Sequence, residues 1–131
     1  MDRRAKILVM VSIAVLCLGL GAQAAEKWRL GPQAYSFNRF TFCEAVAKAK
    51  LLGLEYIDGC PGQKVGQGYG DATFGHGMSP AVRLKVRQML KAEGVRLVNY
   101  GVVGLPNNED ECRKVFNFAR DMEIETIVSE P

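Results

Sequence analysis

The chain has 131 residues, 48% of them hydrophobic and 24% charged, with a formal net charge of +3. That length suits one domain, and that balance is the one of an ordinary globular protein, which excludes a disordered tail, a collagen and a coiled coil.

The N-terminal stretch reads as an export signal. Arg3, Arg4 and Lys6 precede an apolar run from Ile7 to Leu20, broken only by Ser12 and Gly19, and Ala22-Gln23-Ala24 supplies the small-x-small pattern of a cleavage site. The run falls short of the roughly 20 residues of a spanning helix. Residues 1–24 are therefore expected to be a signal peptide, with residues 25–131 the exported, periplasmic or secreted domain. Cys17 has no small residue before it, which argues against a lipid anchor. The segment holds three basic residues and Asp2, so removing it leaves a net charge of about +1. A chain that near neutrality offers no electrostatic case for nucleic acid or an anionic membrane. Three cysteines remain, Cys43, Cys60 and Cys112, without a C-x-x-C pair, so neither a zinc knuckle nor a redox couple is encoded. Cys43 and Cys112 read as small core residues on helices; Cys60 lies in a loop, where a free thiol is open to oxidation.

The rest alternates strand and helix. A first strand is expected within Trp28 to Phe37. Thr41 and Glu44 make a capping box, and Phe42, Ala45, Val46, Ala49 and Leu52 repeat at helical spacing behind it. Gly53 ends that helix and Leu54 to Asp58 reads as the second strand. A loop with seven glycines follows, from Gly59 to Met78, expected to be mobile and to belong to the site. Its Gly66-Gln67-Gly68-Tyr69-Gly70 run lacks the spacing of a dinucleotide fingerprint and stands too far before the next helix to cradle a phosphate. Ser79-Pro80 opens a helix with Val82, Val86, Met89 and Leu90 on its apolar stripe, and Gly94 stops it. Val95 to Tyr100 is the third strand. Asn108 to Glu111 caps a further helix, with Cys112, Val115, Phe116, Ala119 and Met122 as its buried face, and Ile124 to Ser129 is the fourth strand.

Helix-end-then-strand units recur at residues 52–58, 93–99 and 122–128. Such repetition calls for parallel strands with helical crossovers. About four parallel strands and three helices make the N-terminal half of a (β/α)8 TIM barrel, or alternatively a small open α/β sheet. The stop just after strand four reads as truncation, and a half-barrel with one uncovered side is expected to expose apolar surface and to fold poorly alone. Its unpaired edges invite self-association.

In parallel β/α folds the ligand sits beyond the carboxyl ends of the strands. Those ends carry Tyr35 and Asn38, Asp58, Asn99 and Tyr100, then Ser129 and Glu130. Hydroxyl, amide and carboxylate groups in that number suit a polyol, although each taken singly serves equally well as a turn cap. His76, the lone histidine, lies in the long loop. No histidine pair exists for a metal.

Several stretches carry a resemblance. Trp28-Arg-Leu-Gly-Pro-Gln-Ala-Tyr-Ser-Phe37, Asp58 through Lys64, Phe74 to Pro80, Val98 to Pro106 and Thr126 to Pro131 resemble exported members of the sugar phosphate isomerase/epimerase family, within the xylose isomerase-like TIM barrel superfamily. The resemblance implies a proton transfer between adjacent carbons of a sugar or cyclitol, aided by a divalent metal and paired carboxylates. It implies that the metal ligands come mainly from later strands than these four, so no metal ligand is assigned in this chain. Within that expectation Glu130 is the catalytic carboxylate of the pocket, either hydrogen-bonding substrate or supporting the metal, and the strand-end residues Tyr35, Asn38, Asp58, Asn99 and Tyr100 with His76 of the loop surround the substrate. Abasic-site endonucleases share the superfamily, but Asp58 and Asn99 stand where those enzymes carry metal ligands, histidines among them, and the near-neutral charge also counts against DNA. A catalytically silent half-barrel and a small carbohydrate-binding module are the alternatives of a different class.

Overall fold

The computed structural model of the chain describes residues 28–130. The expected signal peptide lies outside them.

The first strand is largely replaced. Gln33 forms a single parallel bridge to Asp58, whose amide donates to the Pro32 carbonyl at 3.0 Å. The chain then turns into a 3-10 helix over Ala34–Phe37. Pro32 has no N–H to give to a ladder. Gly31 lies so close to its neighbour that a Cβ there would stand 2.3 Å from the Tyr56 carbonyl oxygen.

Helix α1 spans Phe42–Leu51. Its capping box is complete: the Thr41 hydroxyl accepts from the Glu44 amide at 3.3 Å, and the Glu44 carboxylate accepts from the Thr41 amide at 2.8 Å. It buries Phe42, Ala45, Val46 and Ala49, whereas Leu52, expected on the same stripe, is the C-cap and lies exposed. Strand β1 follows at Tyr56–Gly59.

The glycine-rich loop is tied down rather than free. The Gly62 amide donates to the Phe74 carbonyl, Phe74 to Gln63 and Val65 to Ala72, so the loop doubles back on itself. The Lys64 and Val65 carbonyls accept from the Phe42 and Cys43 amides, which satisfies two first-turn N–H groups of α1. Phe74, buried, stacks on Phe42 with ring centroids 4.1 Å apart. At the loop's end Arg83 donates to the Met78 and His76 carbonyls and pairs with Asp121 at 2.7 Å.

Helix α2 runs Pro80–Glu93, capped by Ser79 and closed by Gly94 in the left-handed conformation (φ 69°) that a side chain would resist. Strand β2 is Arg96–Tyr100 and helix α3 is Glu109–Asp121, with the Asn108 side chain accepting from the Glu111 amide. Helix α3 buries Val115, Phe118 and Ala119, and Met122 just beyond it. Phe116, expected on the buried face, is 55% exposed, and Phe118, not expected there, is fully buried. From Val115 the 3.6-residue period reaches 118, 119 and 122 and passes over 116. Strand β3 is short, Thr126–Ile127.

The three strands pair in parallel in the order β1-β2-β3. One sheet face carries Ile57, Leu97 and Tyr100 into a core with Phe42, Phe74, Val86 and Phe118. This is an α/β arrangement of parallel strands and three helices, matching half of a β/α barrel with its sheet open. The uncovered face carries polar groups. Side chains alternate along a strand, so with Ile57 and Gly59 turned to the core, Tyr56 and Asp58 face away from it, joined by Arg96 and Asn99. Exposed apolar side chains include Trp28 and Leu30 beside the Gln33 segment and Val128 after β3, with Leu51, Leu52, Leu84 and Phe116 on or at the end of helices.

Candidate functional site

Between β1 and β2 the register shifts: Ile57 pairs with Leu97, but Asp58 pairs with Asn99. Val98 is the extra residue. A bulge of this kind re-aims the side chains that follow it. Without it Asp58 would face a valine and Asn99 would turn into the core. With it, Asn99 Nδ2 donates to Asp58 Oδ1 at 2.9 Å on the uncovered face, both residues half-buried. The same register row continues outward to Gln33 on one side and Thr126 on the other. Four polar residues thus stand side by side at neighbouring strand positions, spaced about 4.8 Å apart as parallel strands are. Gln33 and Thr126 were not expected in the site; they enter it only through register.

A second tier lies toward the amino ends of the strands. Glu125 accepts from Arg29 at 2.9 and 2.7 Å and from Arg96 at 3.1 Å. Both guanidinium groups stand 5.9 Å from the Tyr56 ring centroid. The hydrogen bond from Arg29, aided by the charges of Arg29 and Arg96, holds the Glu125 carboxyl below the usual carboxylate range.

The bulge sends Tyr100 the opposite way. It is fully buried, packed edge-on against Phe118 at 4.8 Å between centroids, and its hydroxyl lies 3.0 Å from His76 Nδ1. Burial pushes its phenol up, opposed by a hydrogen bond from the His76 backbone. The expected site residues therefore divide. Asp58 and Asn99 meet on the uncovered face, while Tyr100 and His76 meet under the loop on the other. Tyr35, inside the 3-10 helix, Asn38, its C-cap, and Glu130, three residues beyond β3, are exposed. Cys60 is half-buried, and burial raises its thiol.

Among the described residues no three His, Cys, Asp or Glu side chains converge. Asp58 with an amide neighbour does not make a divalent-metal site, and no step below passes through a metal. The row offers a carboxylate oxygen, amide oxygens, amide N–H groups and a hydroxyl at neighbouring strand positions. That is a set able to accept from and donate to the hydroxyls of one molecule.

No family model matches the chain, and no curated protein does. Solved structures do. An uncharacterized protein of Parabacteroides distasonis ATCC 8503 superposes with a TM-score of 0.74 at 24% identity, covering 79% of this chain and 43% of that one. A sugar phosphate isomerase/epimerase of the same organism superposes with a TM-score of 0.53 at 13% identity, covering 84% of this chain and 41% of that one. The likeness is one of fold. The chain spans less than half the length of either structure.

Proposed function

We propose that the chain forms the first strands of an exported isomerase or epimerase that moves a proton between adjacent carbons of a sugar or cyclitol. The observation that carries this reading is the Asp58–Asn99 pair on the uncovered face at the carboxyl ends of β1 and β2. Asn99 fixes one oxygen of the Asp58 carboxylate and leaves the other for a substrate hydroxyl or an acidic C–H. Glu130, beyond β3, is the second carboxylate of the reading, and Tyr35 and Asn38 border the same ends. Export rests on the charge and hydropathy of residues 1–24. The fold likeness to a sugar phosphate isomerase/epimerase supports the chemical class. A divalent metal belongs to the reading through the resemblance alone.

The test is deuterium uptake. Sugars and cyclitols are incubated with the protein in deuterium oxide, and loss of carbon-bound protons is followed by NMR. Exchange at one position of at least one substrate, reduced at least tenfold in Asp58→Asn, is the expected result; a removed general base typically costs ~100-fold or more. Exchange that Asp58→Asn leaves unchanged would remove Asp58 from the chemistry.

A further inference from the structure

At the amino end of β2, below the polar row, a cavity of about 530 Å³ is lined by α2, the start of β2 and the turn just after α3. That size is in the range of small-molecule sites, about 300–1,000 Å³. Its floor is apolar: Leu90, Val95, Leu97 and Met122 are all nearly buried core residues. Leu84 stands at its mouth, 55% exposed. The rim is cationic, with Arg87, Lys91 and Arg96 against the single carboxylate of Glu123.

The rim is also built. Arg87 pairs with Glu123 at the rim, and one turn away, outside the lining, Arg83 pairs with Asp121 at 2.7 Å, so two ion pairs tie α2 to the end of α3 and the turn after it. Glu123 is held in the left-handed region (φ 59°), rare for a residue with a side chain. Arg96 is engaged by Glu125. Lys91 has no ion-pair partner among the described residues. An uncompensated ammonium beside an apolar floor is complementary to one chemistry, an anionic head on an apolar body. Both walls and the floor belong to the described residues.

We infer that this cavity binds a small amphiphilic anion of the medium-chain carboxylate kind, its chain on Leu90, Leu97 and Met122 and its head at Lys91. Octanoate is the probe, titrated into the full chain by calorimetry, with octyl β-glucoside and octylammonium as uncharged and cationic controls. The expected result is saturable binding of octanoate, at least about tenfold weaker binding of both controls, and weakening by added salt. Lys91→Glu and Leu84→Glu should each lower octanoate affinity about tenfold or more, in line with the loss of a charged contact. Both positions are exposed, so unchanged circular dichroism and melting confirm that the fold is kept. Equal binding of all three octyl compounds would overturn the inference, as would no saturable octanoate binding or full affinity in either variant with the fold intact.

Discussion

Asn99 reaches Asp58 because one valine is inserted ahead of it in the ladder, and that insertion decides which residues of β2 see solvent. The sequence shows Asp58 and Asn99 at strand ends, and the rule that ligands gather there was enough to select both. It shows no bulge, because Val98 is as good a strand residue as its neighbours. Both Asn99 and Tyr100 stand at that strand end, and the re-aimed backbone separates them, turning Asn99 to the open face and the Tyr100 ring into the core. Local chemistry was more legible. Thr41 and Glu44 cap α1 as their spacing requires, and the hydrogen bond from the Thr41 amide holds the Glu44 carboxyl below its ordinary range. A carboxyl depressed in the folded state contributes stability that is complete above its unfolded pKa, about 4.3, and is lost as pH falls through the folded value. Thr41→Ala should therefore cost about 1 kcal/mol in chemical denaturation at neutral pH. The Thr41 amide survives the substitution, so the Glu44 titration, followed by side-chain NMR, should rise only by the share that the Thr41 hydroxyl contributes. A stability unmoved by the substitution would refute the box.

At the scale of elements, caps and stops were read well because they depend on neighbours in sequence: Ser79-Pro80, Gly94 and Asn108 all do what their types favour. Helix phase was read less well. Phe116 and Phe118 are both apolar and two apart, so either fits a stripe through Val115 if one position is allowed to drift. Packing chooses Phe118, which lies between Phe74, Tyr100 and Arg83. Phe118→Ala should cost about 3–5 kcal/mol, and Phe116→Ala no more than about 0.5 kcal/mol, measured by urea unfolding. Reversal of that order would place α3 in the other phase. The first strand was misjudged because its apolar content outweighed Pro32, which limits pairing to one bridge. The seven glycines of the loop suggest mobility. Its order comes from Phe74, a residue whose partner Phe42 is 32 positions away in sequence, and nothing local announces that contact.

For the whole molecule, the open face carries the polar row, and exposed apolar side chains lie at the Trp28 end and on helices. Trp28 is 86% exposed and Leu30 64%, beside a segment whose outer backbone edge pairs with no strand among the described residues. Such an edge templates pairing with another chain. The protein should associate as its concentration rises, and Trp28→Lys with Leu30→Lys should shift sedimentation toward the monomer. A wild-type chain that sediments as a monomer at every concentration would contradict this. The polar face itself leads to the central claim, that hydroxylated substrates are held across the Gln33–Asp58–Asn99–Thr126 row. The most direct measurement is an NMR titration of the nitrogen-15-labelled protein with neutral sugars and cyclitols, reading the Asn99 side-chain amide. Saturable shifts of that amide and of the Asp58 and Thr126 backbone signals, abolished in Asp58→Asn, are the expected outcome. Shifts confined to other surfaces, or a response that survives Asp58→Asn, would place the sugar elsewhere and end the claim.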